Sequence, residues 1–184
     1  MNETSARQKE FEALLRPIMK TVYSAALHYT RNPEDASDLV QEATLQAFRA
    51  FDSFQRGTNF RAWLLRILTN LFLNKYRKQQ REPDTANIED LPESYLYHQA
   101  HRAGLHQGGD PAEIVLEKLD TEKVTAAIDA LPEEFRIVAT LYFVEEFSYQ
   151  DIAEIVDCPV GTVRSRLHRS RKLLQKALWE QAMG

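Results

Sequence analysis

Hydrophobic side chains recur every three or four residues along most of this 184-residue chain, which indicates helices rather than strands. In the first such segment the apolar residues that share a face are Phe11, Leu14, Leu15, Ile18, Val22, Ala25 and Tyr29. Residues 10–30 are therefore predicted to form one amphipathic helix, after a polar tail over residues 1–9. The pattern contains no convincing strand and no internal repeat.

A second helix is predicted from Pro33 to about Phe51. Asn32 can cap it, proline suits the first helical position, and the acidic pair Glu34 and Asp35 complements the positive end of the helix dipole. Its apolar stripe consists of Leu39, Val40, Ala43, Ala47, Phe48 and Phe51.

A third helix is expected to begin at a cap formed by Thr58 or Asn59. Its inner face consists of Phe60, Leu64, Ile67, Leu68 and Leu71. Three helices with short connections can bury a core as a small bundle. The first domain is therefore predicted over residues 10–81.

The helical pattern stops between Glu82 and about Glu117. This stretch has prolines at positions 83, 92 and 111, a Gly108-Gly109 pair and many acidic residues. A connection of this length inside one compact domain would be unusual. The sequence thus predicts an all-α protein with two small helical domains, 10–81 and 116–184, joined by an acidic flexible linker over residues 82–115.

The second domain contains a helix-turn-helix pattern. A helix is predicted to Ala130, and Pro132 opens the next helix. The segments 148–156 and 161–172 come after it, with Asp157 at the turn between them. The residues spaced to pack the two helices together are Ile152, Ala153, Val156, Val160, Val163 and Leu167.

Charge is segregated along the chain although the net charge is −4. Residues 56–81 contain seven basic side chains and residues 161–176 contain six, and all 27 acidic residues lie outside these two stretches. Such segregation indicates two separate contacts with nucleic-acid phosphates. Apolar runs are too short to span a bilayer, no secretory signal is evident, and a single cysteine, Cys158, excludes an internal disulfide framework, so a cytoplasmic protein is expected.

The second helix of a helix-turn-helix lies in the major groove, where arginine can bind a guanine edge with two hydrogen bonds. With the apolar residues turned inward, Arg164, Ser165, His168 and Arg169 are predicted to face the base edges. Thr162 is predicted to contact phosphate near the start of this helix. Flanking or backbone contacts are expected from Arg166, Arg171 and Lys172.

The first basic stretch differs because aromatic and amide side chains alternate with the cations. This mixture suits unpaired bases, which stack on aromatic rings. The candidate residues are Arg61, Trp63, Asn70, Asn74, Lys75, Tyr76, Arg77, Lys78 and Arg81. The alternative is that Trp63, Phe60 and Phe72 belong to the core, which is the preferred interpretation for Phe60.

Four motifs in order resemble those of bacterial extracytoplasmic-function (ECF) sigma factors of the sigma-70 family. They are Asp35-Ala36-Ser37-Asp38-Leu39-Val40-Gln41-Glu42-Ala43, Phe60-Arg61-Ala62-Trp63-Leu64-Leu65-Arg66-Ile67, Leu131-Pro132-Glu133-Glu134-Phe135-Arg136, and Asp151-Ile152-Ala153-Glu154 with Gly161-Thr162-Val163-Arg164-Ser165-Arg166-Leu167-His168-Arg169. The resemblance covers nearly everything from residue 10 to residue 178.

The resemblance implies a role for each domain. The first would bind RNA polymerase core and melt the promoter −10 element, and the second would read the −35 element. Asp35, Asp38, Gln41 and Glu42 would face the clamp helices of the largest polymerase subunits. The segment from Leu73 to Arg81 would be a loop that captures a flipped −10 base. Residues 77–83 and 131–136 further resemble the subgroup held inactive by zinc-containing, thiol-sensing anti-sigma factors, so a partner of this kind is expected.

Two other functional classes compete with this interpretation. A helix-turn-helix regulator that is not a sigma subunit would share the second domain. A metal protein would have to use His98, His101 and His106, which are weakly spaced for a zinc site. No catalytic constellation stands out, so no enzyme activity, metal or cofactor is expected, and Cys158 is interpreted as a packed side chain.

Overall fold

The computed structural model describes residues 3–79 and 121–183, which form two helical bundles packed against each other. The predicted linker lies outside the described residues, as do Arg81 and the three histidines of the candidate metal site. Every regular element within the described ranges is helical, which confirms the all-α prediction. None of the described helices is long and apolar enough to cross a membrane.

The first bundle contains four helices and two short 3₁₀ turns. They are α1 (Glu3–Leu15), a 3₁₀ turn (Arg16–Ile18), α2 (Met19–Thr30), α3 (Pro33–Arg49), a second 3₁₀ turn (Phe51–Ser53) and α4 (Phe60–Gln79). The prediction of one helix over residues 10–30 was wrong in two respects. The helix begins earlier, inside the expected tail, and it is interrupted at Pro17, which has no N–H to donate within a helix.

The helix caps observed in the first bundle are those predicted from the sequence. The side chain of Asn32 accepts hydrogen bonds from the backbone N–H groups of Glu34 and Asp35 at 2.8 and 3.2 Å. Asn59 caps α4, because its side-chain oxygen accepts a hydrogen bond from the Ala62 N–H at 3.1 Å. Both cap predictions are confirmed.

Helix α4 extends further than the sequence suggested. The segment from Leu73 to Gln79, expected to be a loop, is the last part of α4. It contains no glycine or proline, and lysine, arginine, leucine and glutamine favour the helix. The expected loop is thus corrected to two further turns of helix, which carry Asn74, Lys75 and the next positions up to Gln79.

An aromatic cluster joins the first bundle at the end where α1 meets α4. The ring of Phe11 contacts Phe48, Phe51 and Phe60 edge to face, with centroid distances of 5.3, 5.1 and 5.7 Å. Phe60 is buried, as predicted, in this core. Edge-to-face packing adds to the burial of apolar area and fixes the start of α4 against α1.

The second bundle contains four described helices and a π-helical turn. They are α5 (Thr121–Asp129), α6 (Glu133–Ala139), the π turn (Thr140–Val144), α7 (Tyr149–Val156) and α8 (Val160–Met183). A capping box between Ser148 and Asp151 starts α7, and Asp157 ends it in a left-handed conformation with φ of 52°. Val163 and Leu167 of α8 are fully buried, so the predicted helix-turn-helix is confirmed.

The two bundles share an interface and a continuous hydrophobic cluster. Helix α7 packs along α4, and α6 packs against α2. Arg136 of α6 is 4% exposed and donates to the carbonyl oxygens of Leu131 at 2.9 Å and Tyr29 at 3.1 Å. His28 Nδ1 lies 2.5 Å from Asp129 Oδ1. These contacts tie α2 to both α5 and α6.

Candidate nucleic-acid and polymerase surfaces

One face of α8 is covered and the opposite face is open. Val163 and Leu167 point into the core, whereas Arg164, Ser165, His168 and Arg169 are exposed on the other side. These four residues, named here the reading face, were predicted from the spacing of the apolar side chains. They form one uncovered strip of donors on a helix that is fixed by its buried side.

The remaining candidates on α8 divide between solvent and the domain's own packing. Thr162 is half-buried, and its carbonyl oxygen accepts a hydrogen bond from Ser165 Oγ at 2.9 Å. Arg166 forms an ion pair with Glu134 of α6 at 3.4 Å. Lys172 is half-buried. Arg166 thus links α8 to α6 in addition to any contact with a flanking phosphate.

Arg171 also contacts its own domain. Its Nη2 donates to the hydroxyl of Tyr149 at 2.9 Å, and its guanidinium lies 5.3 Å from the centre of the Tyr142 ring. A cation held over an aromatic ring and hydrogen-bonded to a neighbouring tyrosine stabilises the packing of α8 on α7. The predicted flanking role of Arg171 therefore coexists with a structural one.

On α4, the exposure of the candidate residues increases along the helix, and they do not form one cluster. Trp63 is half-buried and its ring lies 5.1 Å from Phe54 and 5.6 Å from Phe60, so it belongs partly to the core. Asn70 is half-buried, and Asn74 and Lys75 are exposed. Tyr76, Arg77 and Lys78 lie on the last turn of α4, but their side chains are outside the described part of the structure.

Arg61, the first candidate on α4, contacts the second domain. Its Nη2 donates to the carbonyl oxygen of Glu145 at 3.0 Å, and its guanidinium lies 4.2 Å from the centre of the Phe147 ring. Arg66, further along the helix, lies 3.9 Å from Asp157 Oδ1. Sequence reasoning gave no signal for these contacts because the partners are 84 residues apart for Arg61 and Glu145.

The outer face of α3 carries the residues that resemble a polymerase-binding motif. Asp35, Asp38, Gln41 and Glu42 are all exposed, while the opposite stripe of α3 is buried. The structure adds Leu45, which is 54% exposed and comes four and three positions after Gln41 and Glu42 on the same face. An exposed leucine among acids was not predicted, although helical spacing could have found it.

A small cavity of about 220 Å³ lies where α6 meets the first bundle. Arg31, Lys75 and Arg136 line it, together with the acidic side chains of Asp35 and Glu133. Burial raises the pKa of Glu133 to about 7, although the nearby guanidinium groups of Arg136 and Arg31 act to lower it. Its Oε2 is buried and has no hydrogen-bond partner among the described residues.

Glu133 gives a testable pH dependence of stability. Its folded-state pKa is raised above the ordinary 4.5, so its contribution is present below pH 4.5 and is lost as the pH rises through about 7. Because Glu133 as a whole is only half-buried, we expect the free energy of unfolding to fall by about 1 kcal/mol between pH 5 and pH 8 after allowing for solvent screening. Urea unfolding of Glu133→Gln should lack this decline, and the exposed control Glu154→Gln should behave like the wild type.

If the free energy of unfolding changed with pH equally in the wild type and both variants, the Glu133 carboxyl would be as well solvated in the folded chain as in the unfolded one.

The position of Cys158 agrees with its interpretation as a packed side chain. Cys158 is half-buried at the turn between α7 and α8, and burial raises the pKa of its thiol, which disfavours the reactive thiolate. Within residues 3–79 and 121–183, no group of three or more metal-ligating side chains comes together. The histidines at positions 98, 101 and 106 lie outside these ranges.

Comparison with known proteins matches both bundles. Residues 14–82 match sigma-70 region 2, and residues 121–174 match sigma-70 region 4. The chain is 40% identical over 154 residues to the ECF RNA polymerase sigma factor EcfG of Rhodopseudomonas palustris, covering 84% of this chain and 77% of that protein. The chain belongs to the ECF sigma factors of the sigma-70 family.

Further relatives support the same family. The sigma-E factor of Escherichia coli K12 is 35% identical over 167 residues, which is 91% of this chain and 85% of that protein. The sigma factor RpoE of Bartonella quintana, solved in complex with the anti-sigma factor NepR, has a TM-score of 0.66 and 31% identity, covering 92% of this chain and 97% of that one.

Membership settles the class of activity. ECF sigma factors bind RNA polymerase core and promoter DNA, and this sigma factor directs promoter-specific transcription initiation. The match of the first bundle to sigma-70 region 2 disfavours a helix-turn-helix regulator that is not a sigma subunit, because such a regulator has no need of this region. These proteins are initiation factors rather than known enzymes.

Proposed function

We propose that this sigma factor uses three separate surfaces during initiation. The outer face of α3 binds the clamp helices of polymerase core, the reading face of α8 reads −35 duplex, and α4 captures unpaired −10 bases. The observation that carries the proposal is the reading face, where four polar residues are exposed on a helix whose opposite side is fully buried. The sigma factor itself performs no chemistry and acts in the cytoplasm.

The reading face has the chemistry for direct readout of base pairs. Arg164 and Arg169 can each donate two hydrogen bonds to O6 and N7 of a guanine, and Ser165 and His168 can donate or accept at neighbouring edges. Thr162 lies close to the helix start, where a side-chain hydroxyl and backbone N–H groups suit a phosphate. The ion pair between Arg166 and Glu134 and the contacts of Arg171 hold α8 in its orientation.

The α4 surface has a different chemistry that favours unpaired bases. Trp63 offers the exposed part of an aromatic ring, Asn70 and Asn74 offer amide edges, and Lys75 offers a cation for the backbone. The positions of Tyr76, Arg77 and Lys78 extend this series along the last turn of α4, and Arg81 comes after it in the sequence. The segment acts as the end of a helix rather than as the loop expected from the sequence.

The outer face of α3 suits a partner that is basic with an apolar centre. Leu45 follows four polar or acidic side chains along the exposed side of α3, and an exposed apolar residue next to polar ones is typical of an interface. Asp35, Asp38 and Glu42 would provide attraction and orientation, and Leu45 would supply most of the buried apolar area.

Replacing Leu45 by glutamate is expected to weaken binding to polymerase core by about 2 kcal/mol, or roughly 30-fold, because a charge would be buried at the centre of the interface. Fluorescence anisotropy with purified core measures the affinity. Gln46→Glu adds the same charge at the adjacent exposed position, on another side of α3, and is the control. Equal affinities for both variants would remove Leu45 from the interface.

The proposal includes an anti-sigma partner that keeps the sigma factor inactive. The motifs of residues 77–83 and 131–136 resemble the subgroup controlled by zinc-containing, thiol-sensing anti-sigma factors. Co-purification from the native cells followed by metal analysis tests this assignment. A zinc-free inhibitor would reject the subgroup and leave inhibition by an anti-sigma factor in place.

Run-off transcription with purified polymerase core on a genomic fragment library tests the proposed function as a whole. We expect new start sites that appear only with this protein and share paired upstream elements. Failure to bind core or to produce new transcripts, with the protein free of inhibitor, would contradict the proposal. The shared elements would then give the DNA for measuring each surface separately.

A further inference from the structure

Two arginines of α4 are engaged by the second domain. Arg61 donates to the carbonyl oxygen of Glu145 at 3.0 Å and its guanidinium lies 4.2 Å from the centre of the Phe147 ring. Arg66 lies 3.9 Å from Asp157. Helix α7 packs along α4 beside these contacts. The second domain thus touches the helix that is proposed to bind single-stranded −10 DNA.

The groups that Arg61 meets have the chemistry of an unpaired nucleotide. A base offers arginine a flat π face and carbonyl acceptors at its edge. The Phe147 ring supplies such a face, and the Glu145 carbonyl supplies such an acceptor. Phe147 is 3% exposed, so its ring fills the space that a stacked base would need. Base and ring cannot occupy the same side of the guanidinium together.

Asp157 adds a negative charge where DNA would bring a phosphate. The Arg66 and Asp157 side chains are 52% and 80% exposed and 3.9 Å apart, so the pair is weak and is screened by salt. A weak pair orients the two domains without locking them. Asp157 also ends α7 in the left-handed conformation, which asparagine tolerates as well, so its charge can be removed with little strain.

While the two domains are packed together, an arrangement called closed here, the two proposed DNA surfaces are not equally accessible to DNA. All four residues of the reading face on α8 are exposed, whereas Arg61 on α4 is partly covered. A chain in this arrangement can present its −35 surface to duplex DNA while Arg61 of its −10 surface is occupied. The difference in access is a property that binding can measure.

We propose that the second domain, through Glu145, Phe147 and Asp157, acts as an internal competitor of single-stranded DNA for Arg61 and Arg66. This inference rests on the proposed −10 role of α4. The chain with its domains packed together accepts duplex at the reading face, and separation of the domains frees Arg61 and Arg66 for unpaired bases. Single-strand capture by these two arginines is thereby coupled to separation of the domains.

The test uses the full chain with Phe147→Leu and Asp157→Asn combined. Leucine keeps an apolar side chain in the core but has no π face, and asparagine removes one charge. Binding of a short random-sequence single strand and of the same sequences as duplex is measured by anisotropy. Spin labels at Lys20→Cys and Glu154→Cys, in a Cys158→Ser background, report the distance between the domains.

A matched control exists within the first bundle. Arg7 forms an ion pair with Asp52 at 3.0 Å, and its guanidinium lies 4.7 Å from the centre of the Phe48 ring. Phe48→Leu with Asp52→Asn therefore removes the same two kinds of contact and the same charge without touching the interface. Any gain in DNA binding that is due to net charge or loosened packing will appear in this control as well.

We expect the interface variant to bind single strands roughly 3- to 10-fold more tightly than the wild type, with longer label distances and unchanged duplex affinity. Asp157→Asn alone should give about a 2-fold gain that disappears at high salt. Domains that separate without a gain in single-strand binding would overturn the inference. So would a gain of the same size in the control, or unchanged distances together with unchanged binding.

Failure of the inference can be told apart from failure of the proposed function. In a holoenzyme whose α4 is bound to promoter DNA, Arg61 is available to that DNA, so Arg61→Ala should reduce promoter opening there whether or not competition occurs in the free chain. Normal opening by Arg61→Ala would reject the −10 role itself. Impaired opening by Arg61→Ala, with no effect of the interface variant on free-chain binding, would reject internal competition alone.

Discussion

Arg136→Ala is expected to lower the free energy of unfolding by about 3 kcal/mol and to loosen the contact between the two bundles. The Arg136 guanidinium is almost fully buried and donates to carbonyl oxygens in both domains, those of Leu131 and Tyr29. Truncation leaves both acceptors away from water and removes the packed aliphatic stem. Urea unfolding monitored by circular dichroism measures the change.

Two further substitutions separate charge from geometry at this position. Arg136→Lys retains the charge but cannot reach both carbonyl groups with one planar fork, so an intermediate loss is expected. Arg49→Ala removes an exposed arginine at the end of α3 and should change stability by less than about 0.5 kcal/mol. A loss for Arg136→Ala no larger than for Arg49→Ala would show that water satisfies the two carbonyl groups.

Alanine at both Arg164 and Arg169 is expected to abolish −35-dependent transcription, while binding to polymerase core stays intact. Each arginine that binds a guanine with two hydrogen bonds contributes about 1–3 kcal/mol of discrimination, and the two lie on adjacent turns of one exposed face. The measurement is affinity for duplexes that carry every single-base change in the −35 element found by run-off transcription.

The single variants assign each arginine to a base or to the backbone. A base-reading arginine loses affinity at one position and relaxes selectivity there, whereas a phosphate contact weakens all sequences equally and lowers the salt dependence. Lys176→Ala removes an exposed cation further along α8 and is the control for a pure charge effect. If Arg164→Ala and Arg169→Ala weakened binding equally to every duplex, as Lys176→Ala would, the reading face would contact the DNA backbone and not the bases.

Much of the local structure could be predicted because its causes are local. The Asn32 cap, the Asn59 cap and the helix-turn-helix core depend on residues within a few positions of one another. The reading face is a consequence of that core, since burial of Val163 and Leu167 leaves one direction for the arginines. The two region matches agree with the motif order found in the sequence.

The contacts between the domains could not be predicted by the same reasoning. Arg136 and Tyr29 are 107 residues apart, and no local pattern marks the carbonyl oxygen of a tyrosine as the acceptor of a buried arginine. Arg61 is predicted to bind DNA because of its basic and aromatic neighbours, but the same neighbourhood suits a residue that stacks on Phe147. A cation beside aromatic residues does not reveal which aromatic partner it will meet.

The break at Pro17 and the length of α4 were missed for opposite reasons. Apolar spacing continues through Pro17, because a single 3₁₀ turn keeps the next helix facing the same core. At the end of α4 the apolar stripe fades while the backbone remains helical to Gln79. Hydrophobic periodicity reports which side chains are buried, and it does not report where an exposed helix ends.

The direction in which Phe147 points depends on the number of residues in the π turn at Thr140–Val144. The Glu145 N–H reaches the carbonyl oxygen of Thr140, five residues earlier, at 3.0 Å, so this turn holds one residue more than an α-helical turn. Deleting one residue here would restore the α-helical register and rotate the next residues of the chain by about 100°. Phe147 would then face away from Arg61 with its chemistry unchanged. Among related chains, a one-residue difference in length at this turn would therefore separate those able to close over α4 from those permanently open.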